Sequence, residues 1–114
     1  MATRRANVLG LGLIGGSLAL ALKKNGFSVS GSDANSETEK LALEREIISA
    51  IGIDADAEIS FIATPVTAIP AQVQLALKKT KGIVSDVGGV KASVVESISD
   101  PRFVGGHPMA GSEL

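Results

Sequence analysis

The sequence predicts an α/β fold in which a doubly wound parallel sheet of about six strands carries helices on both faces. Three observations support this prediction. Short apolar segments alternate with longer segments of helical character, in the order βαβαβ followed by βαβαβ. Most of the apolar segments end at glycine, aspartate or the Thr64-Pro65 pair, where a strand would stop. The 114 residues suffice for one domain with its own core.

The first half of the chain contains three predicted strands, at residues 6–9, 27–32 and 47–51. A helix is expected at residues 14–24, because the segment is rich in Ala and Leu and ends in two lysines before Asn25-Gly26. A second helix is expected at residues 36–45. Ser36 is its candidate N-cap, and Glu39 follows three residues later, as in a capping box.

The second half repeats this alternation. Strands are expected at residues 58–63, 82–85 and 103–104, and helices at residues 68–79 and 91–98. Pro70 is compatible with the first turn of the helix in which it lies. Right-handed crossovers between these strands would place helices on both faces of one sheet.

Composition excludes several classes of function. The net charge of -1 and the absence of Trp and Tyr argue against nucleic acid as a partner. The absence of Cys excludes disulfides and thiolate metal sites, and no metal site is expected. The apolar segment at residues 8–22 is interrupted by glycines, which makes it a poor membrane span. No secretory signal precedes the first strand, so a soluble, cytoplasmic protein is expected.

Residues 10–15 form a G-x-G-x-x-G motif that follows a predicted strand and opens a predicted helix. In this context Gly10 permits a tight turn, Gly12 lets a pyrophosphate approach the backbone, and Gly15 allows the helix to lie close to the strand. The free N–H groups at the start of the helix would then face the negative charge. The motif therefore predicts a Rossmann-type dinucleotide-binding domain. The alternative is a glycine-rich turn that binds no ligand.

Asp33 ends the second predicted strand, 18 residues after Gly15. This is close to the usual offset, roughly 20 residues, of a carboxylate that binds the adenosine ribose hydroxyls. A carboxylate there would repel the 2′-phosphate of NADP, and the next cationic residue is Lys40. The expected cofactor is therefore NAD. The alternative is that Asp33 only caps a turn.

Several polar residues follow the predicted strands, and the carboxyl ends of parallel strands meet at one edge of a sheet. His107 is the single histidine and follows the sixth strand, where its side chain could transfer a proton at neutral pH. It could instead be a structural histidine bonded to backbone carbonyls. Ser112 and Glu113 could orient His107 or line a pocket, or could be solvated. Lys91 could meet an anion or simply begin a helix.

Four segments together resemble the NAD-binding half of prephenate and arogenate dehydrogenases: residues 10–22, 61–66, 85–96 and 103–113. The resemblance implies an NAD-dependent oxidative decarboxylation in tyrosine biosynthesis, with prephenate or arogenate as substrate. It implies that His107 hydrogen-bonds the substrate hydroxyl and helps to deprotonate it. Thr64 and Pro65 would border the nicotinamide riboside. The residues implied to carry the rest of the dinucleotide are Gly10, Gly12, Leu13, Ile14, Gly15 and Asp33.

Two features depart from the family pattern. Gly89 stands where these enzymes usually have a serine that faces the substrate. The family also carries a second, helical domain that forms the dimer and supplies much of the substrate pocket, and we expect it to be absent from this chain. Residues 1–114 are then one dinucleotide-binding domain, and a homodimer is expected only where the helical domain is present. After the fifth strand only Lys91 and Arg102 could bind substrate carboxylates.

Two other functions remain open. The chain could bind NAD without independent catalysis, or it could belong to another dehydrogenase of similar fold that acts on hydroxy acids or imines.

Overall fold

The computed structural model describes residues 3–87 and 100–105. Six strands lie in these ranges: β1 (Arg4–Leu9), β2 (Phe27–Ser32), β3 (Ala50–Ile51), β4 (Ile59–Ile62), β5 (Ile83–Asp86) and β6 (Phe103–Val104). The helices are α1 (Leu13–Lys24), α2 (Ser36–Glu44) and α3 (Ile69–Lys79), with a short 3-10 helix at Val66–Ala68 before α3. The helix predicted at 91–98 lies outside the described residues.

All six strands belong to one sheet with the order β3-β2-β1-β4-β5-β6. Every pairing between neighbouring strands is parallel. The order reverses between β1 and β4, and this switch point is where open α/β sheets bind ligands. The predicted doubly wound parallel sheet is confirmed. The strand expected at 47–51 is shorter than predicted, since only Ala50 and Ile51 pair with β2.

The sheet buries both of its faces, because consecutive residues of a strand point to opposite sides. Val8 and Leu9 are both fully buried, yet they belong to different cores. On one face Leu9 packs with residues of α3, including Val73 and Ala76. On the other face Val8 packs with Ala19 of α1 and Ala42 of α2. Helices therefore cover both faces of the sheet. The loops that connect strands and helices lie at the two ends of the strands.

The N-terminus of α2 differs from the prediction by one residue. Asn35, not Ser36, is the N-cap, and its Oδ1 accepts hydrogen bonds from the backbone N–H groups of Glu37 (2.8 Å) and Thr38 (3.3 Å). The Asp33 carboxylate accepts a hydrogen bond from Asn35 N–H (2.9 Å). This bond closes a tight turn that places Asn35 in the capping position, and Ser36 becomes the first helical residue.

A buried polar cluster ties the loop between β3 and β4 to the middle of the sheet. Asn7 of β1 is fully buried, and its amide donates to Ser60 Oγ (3.0 Å) and to the Asp54 carbonyl (3.0 Å). Its Oδ1 accepts from Asp54 N–H (2.8 Å). The Asp54 carboxylate in turn accepts two hydrogen bonds of 2.7 Å from the Arg5 guanidinium. These bonds hold the pKa of Asp54 below its ordinary value.

Candidate dinucleotide site

A cavity of about 890 Å³ opens at the carboxyl edge of the sheet, beside the switch point between β1 and β4. Seven of the eight residues that the sequence indicated for the cofactor line it. The described residues that line it are Gly10, Gly12, Leu13, Ile14, Ser32, Asp33, Ala34, Ala63, Thr64, Pro65, Thr67, Ala68 and Gln72. The eighth indicated residue, Gly15, is buried behind this wall. The fold thus brings residues from three separate loops to one opening.

The wall formed by the glycine loop depends on close backbone contacts. Gly10 has a φ of 98°, and a Cβ atom there would lie 2.6 Å from the carbonyl carbon and oxygen of Ala63. A Cβ atom at Gly15 would lie only 1.7 Å from the Gly10 carbonyl oxygen. Side chains at these two positions would separate α1 from β1 and β4. The two glycines therefore set how closely the helix approaches the cavity.

Gly12 has a different role, because it is the N-cap of α1 and lines the cavity. Among the described residues, its own chain neighbours apart, nothing lies within 4 Å of a Cβ atom built at Gly12. The first turn of α1 contains no acidic side chain, and no side chain of the described residues caps it. The first N–H groups of a helix lack intrahelical acceptors. The loop therefore presents an electropositive backbone end to the cavity.

Asp33 connects the glycine loop to the turn before α2. Its Oδ2 accepts a hydrogen bond from Leu11 N–H (2.7 Å), and its Oδ1 accepts the bond from Asn35 N–H. The side chain therefore caps a turn, as one of the two sequence interpretations expects, and Asp33 also lines the cavity. Each carboxylate oxygen can accept more than one hydrogen bond, so these contacts leave capacity for a ligand hydroxyl.

Thr64 lines the opposite wall, two residues after the end of β4. Its Oγ1 is buried and has no hydrogen-bond partner within the part of the chain that the structure describes. Buried hydroxyls in folded proteins almost always have a partner. A polar ligand atom in the cavity would supply one, which fits the donor and acceptor groups of a dinucleotide. Pro65 follows at an exposed position and leads into the 3-10 helix.

Sequence reasoning did not indicate six of the lining residues: Ser32, Ala34, Ala63, Thr67, Ala68 and Gln72. Ser32, Ala34 and Ala63 adjoin indicated residues at the strand ends, so the strand-end rule could have included them. Gln72 lies four residues after Ala68, and this spacing brings both residues to one side of a helix. A prediction of Gln72 would have required knowing that this side of α3 faces the switch point.

Several indicated residues cannot be placed in this geometry. His107, Gly89, Lys91, Ser112 and Glu113 lie outside the described residues.

Arg102 lies at the amino end of the strands, opposite the cavity at their carboxyl end. Its guanidinium donates to the carbonyl oxygens of Thr80 (2.7 Å), Gly82 (3.3 Å) and Leu77. Arg102 therefore satisfies backbone acceptors at the end of α3. Because its guanidinium is directed away from the cavity, it is not a candidate to bind a substrate carboxylate there.

Residues 3–87 and 100–105 contain neither a metal-binding cluster nor a helix that could span a membrane. No cluster of three or more His, Cys, Asp or Glu side chains has the arrangement of a metal site there. No helix in these ranges has the length and apolar character needed to cross a bilayer.

The strand order, the glycine loop and the cavity at the switch point define a Rossmann-type domain of the dinucleotide-binding class. The family described as prephenate dehydrogenase, nucleotide-binding domain, matches residues 18–114, and the chain belongs to this family.

Two curated relatives are prephenate dehydrogenases. The protein from Bacillus subtilis (strain 168) is 39% identical over 121 residues, covering 90% of this chain and 32% of the relative. The protein from Lactococcus lactis subsp. cremoris (strain MG1363) is 36% identical over 120 residues, covering 92% and 34%. The chain thus spans about a third of the length of these relatives.

Solved structures show the same likeness. Prephenate dehydrogenase from A. aeolicus, in complex with hydroxyphenyl propionate and NAD+, has a TM-score of 0.82 at 28% identity, covering 100% of this chain and 44% of that one. Synechocystis arogenate dehydrogenase has a TM-score of 0.79 at 32% identity, covering 96% and 42%.

Proposed function

We propose that the chain binds NAD in this cavity and forms the cofactor-binding half of a prephenate or arogenate dehydrogenase. The observation that carries the proposal is the cavity itself, in which the open N-terminus of α1 lies between Asp33 and Thr64. Family membership supports it. The NAD+ complex of the A. aeolicus relative supports the choice of cofactor.

The lining residues divide the cavity among the parts of NAD. The pyrophosphate would lie against the backbone N–H groups of Leu13 and Ile14, where Gly12 leaves space. The hydroxyl groups of the adenosine ribose would donate hydrogen bonds to the Asp33 carboxylate. The same carboxylate would disfavour NADP, because it repels the 2′-phosphate. The nicotinamide riboside would extend toward Thr64 and Pro65, and Thr64 Oγ1 would gain the partner that it lacks among the described residues.

In the proposed reaction, bound NAD supplies the hydride acceptor. His107 would hydrogen-bond the substrate hydroxyl and accept its proton as the ring carbon that bears this hydroxyl gives up its hydrogen as a hydride. The ring carboxylate would then leave as carbon dioxide, and the electron pair of the broken bond would make the ring aromatic. The resulting phenolate would take the proton back from His107. Gly89, Lys91, Ser112 and Glu113 are proposed to lie on the substrate side. We further propose that a helical domain outside this chain completes the substrate pocket and forms a homodimer, and that the enzyme is cytoplasmic.

Calorimetric titration with NAD tests the binding step, with two threonine variants as a matched pair. Thr64→Val removes a hydroxyl that has no partner among the described residues, so NAD affinity should fall roughly fivefold with no loss of stability. Thr80→Val removes a hydroxyl that donates to the Ala76 carbonyl at the opposite edge (2.8 Å). It should lower stability without changing NAD affinity. Equal NAD affinity in both variants and the parent would contradict the proposed site.

A second assay tests catalysis. NADH formation from prephenate and from arogenate is measured after the helical domain of a relative is fused behind Leu114, with and without His107→Asn. Turnover that the substitution does not reduce would rule out the role of His107. NAD binding without turnover would favour a binding module that has no catalysis of its own.

A further inference from the structure

Glu39 lies in the first turn of α2 and contacts the cavity wall through Asp33. Its Oε2 accepts a hydrogen bond from the backbone N–H of Asp33 (2.9 Å). The sequence indicated Glu39 as the second member of a capping box, in which it would bond to the cap residue. In the structure Asn35 caps the helix, and Glu39 bonds instead to Asp33, two residues before this cap.

This contact joins Glu39 to the glycine loop in two steps. Glu39 holds the backbone of Asp33, and the Asp33 carboxylate holds Leu11 N–H at 2.7 Å. Asp33 is therefore fixed from both sides, by its backbone and by its side chain. A shift of Glu39 would move the residue that faces the cavity, although Glu39 itself is not part of the lining.

The contact also places the Glu39 carboxylate against the backbone of the residue that carries the Asp33 carboxylate. Within residues 3–87 and 100–105, neither Asp33 nor Glu39 takes part in an ion pair. Among the described residues, the lining of the cavity contains no Lys or Arg. Lys40, next to Glu39 in the chain, is exposed. Two negative charges therefore stand together at this end of the cavity without a described cation between them.

We propose that Glu39 is a specificity-determining and positioning residue of the cofactor site. It fixes Asp33 in place, and it adds a second charge that repels the 2′-phosphate of NADP. The inference rests on the proposed binding of NAD in this cavity. A ribose that carries only hydroxyl groups suffers no such repulsion, whereas a phosphate that carries between one and two negative charges does.

The test measures the dissociation constants of NAD and NADP for the chain and for three variants at low and high salt. Glu39→Gln keeps an acceptor for Asp33 N–H and removes the charge. It should leave NAD affinity within about twofold and lower the NADP-to-NAD ratio of dissociation constants about fivefold at low salt. Glu39→Ala removes the acceptor as well, and it should weaken binding of both dinucleotides.

Glu37→Gln is the matched control, because it removes the same charge from the same helical turn. Glu37 is exposed, and its side chain makes no described hydrogen bond or ion pair. The NADP-to-NAD ratio of dissociation constants for Glu37→Gln should stay within about twofold of that of the parent, because salt and water screen an exposed charge that lies farther from the ligand. Circular dichroism confirms that each variant is folded. The salt dependence of the parent ratio gives a second readout, because repulsion between charges weakens as salt rises.

The outcomes separate this inference from the proposed function. A parent chain that binds neither dinucleotide would overturn both. A parent that binds NAD, with an unchanged NADP-to-NAD ratio in Glu39→Gln at low salt, would overturn the role of Glu39 alone. An equal change in Glu37→Gln would also overturn it, because the effect would then reflect net charge rather than the position of Glu39.

Discussion

Replacing two glycines of the same loop by alanine should separate folding from cofactor binding. Gly15→Ala places a methyl group 1.7 Å from the Gly10 carbonyl oxygen, which is part of the backbone and cannot rotate away. Gly12→Ala places a methyl group in open space. Apart from the two chain neighbours of Gly12, no heavy atom of the described residues lies within 4 Å of it. The first change should therefore damage the fold, and the second should damage the site.

The magnitudes follow from these distances. To restore an ordinary contact at Gly15, α1 must retreat by roughly 1.7 Å or more from the loop on which it packs. Overpacking of this kind destabilises a fold by about 3 kcal/mol. For a domain of this size, the melting temperature should fall by about 10 °C or more. Gly12→Ala should change the free energy of unfolding by less than about 1 kcal/mol. It alters only an exposed helix cap, and it also lowers the conformational entropy of the unfolded chain, which offsets part of the loss.

Thermal unfolding and NAD titration of both variants provide the assay. Gly12→Ala should have the melting temperature of the parent. Its affinity for NAD should be lower by roughly tenfold or more, because its methyl group occupies space that the pyrophosphate needs. Gly16→Ala is the control, because its Cβ atom would meet only the Leu11 carbonyl oxygen at 3.7 Å and the residue does not line the cavity. A melting temperature for Gly15→Ala equal to that of the parent would refute the packing argument.

Three further predictions concern the rest of the fold. Asn7→Leu should lower stability by about 2 kcal/mol in urea unfolding, because Asp54 N–H and the Ser60 hydroxyl lose a buried partner. Arg5→Gln should lower stability at neutral pH. Because Arg5 lowers the pKa of Asp54 in the folded state, the difference from the parent should shrink as the pH falls below about 4 and vanish below the lowered pKa. Arg102→Ala should lower the melting temperature but leave NAD affinity unchanged, since Arg102 bonds to carbonyls at the edge opposite the cavity.

Each of these predictions can fail in its own way. A stability difference for Arg5→Gln that does not shrink as the pH falls below about 4 would show that the guanidinium acts through packing rather than through the Asp54 carboxylate. An unchanged melting temperature in Asn7→Leu would show that the buried polar cluster contributes no net stability. Arg45→Ala is a matched control for Arg102→Ala, because Arg45 is exposed at the end of α2 and makes no described side-chain hydrogen bond.

The glycine loop was predictable from sequence because its chemistry is local. A strand, a tight turn and a helix follow one another within residues 4–24, and each glycine has a role that the spacing defines. Parallel pairing then placed Asp33 and Thr64 at the same edge, since the carboxyl ends of parallel strands must meet. Alternation of strands and helices was enough to predict the sheet.

Details that depend on tertiary contacts were not predictable. Asn35 and Ser36 are both good N-caps, and the hydrogen bond that Asn35 N–H donates to the Asp33 carboxylate favours Asn35. Asn7 lies within an apolar segment, and only the loop that carries Asp54 explains its burial. Arg102 was counted among possible substrate ligands, whereas the fold directs its guanidinium to the end of α3.

The most direct test of the account is a nuclear magnetic resonance titration of the isotopically labelled chain with NAD. Binding of the pyrophosphate at the start of α1 should shift the backbone amide signals of Gly12, Leu13 and Asp33. The signals of Gly26 and Thr80, at the opposite edge of the sheet, should stay in place. Signals of the glycine loop that do not move at millimolar NAD, or shifts confined to the opposite edge, would contradict the account.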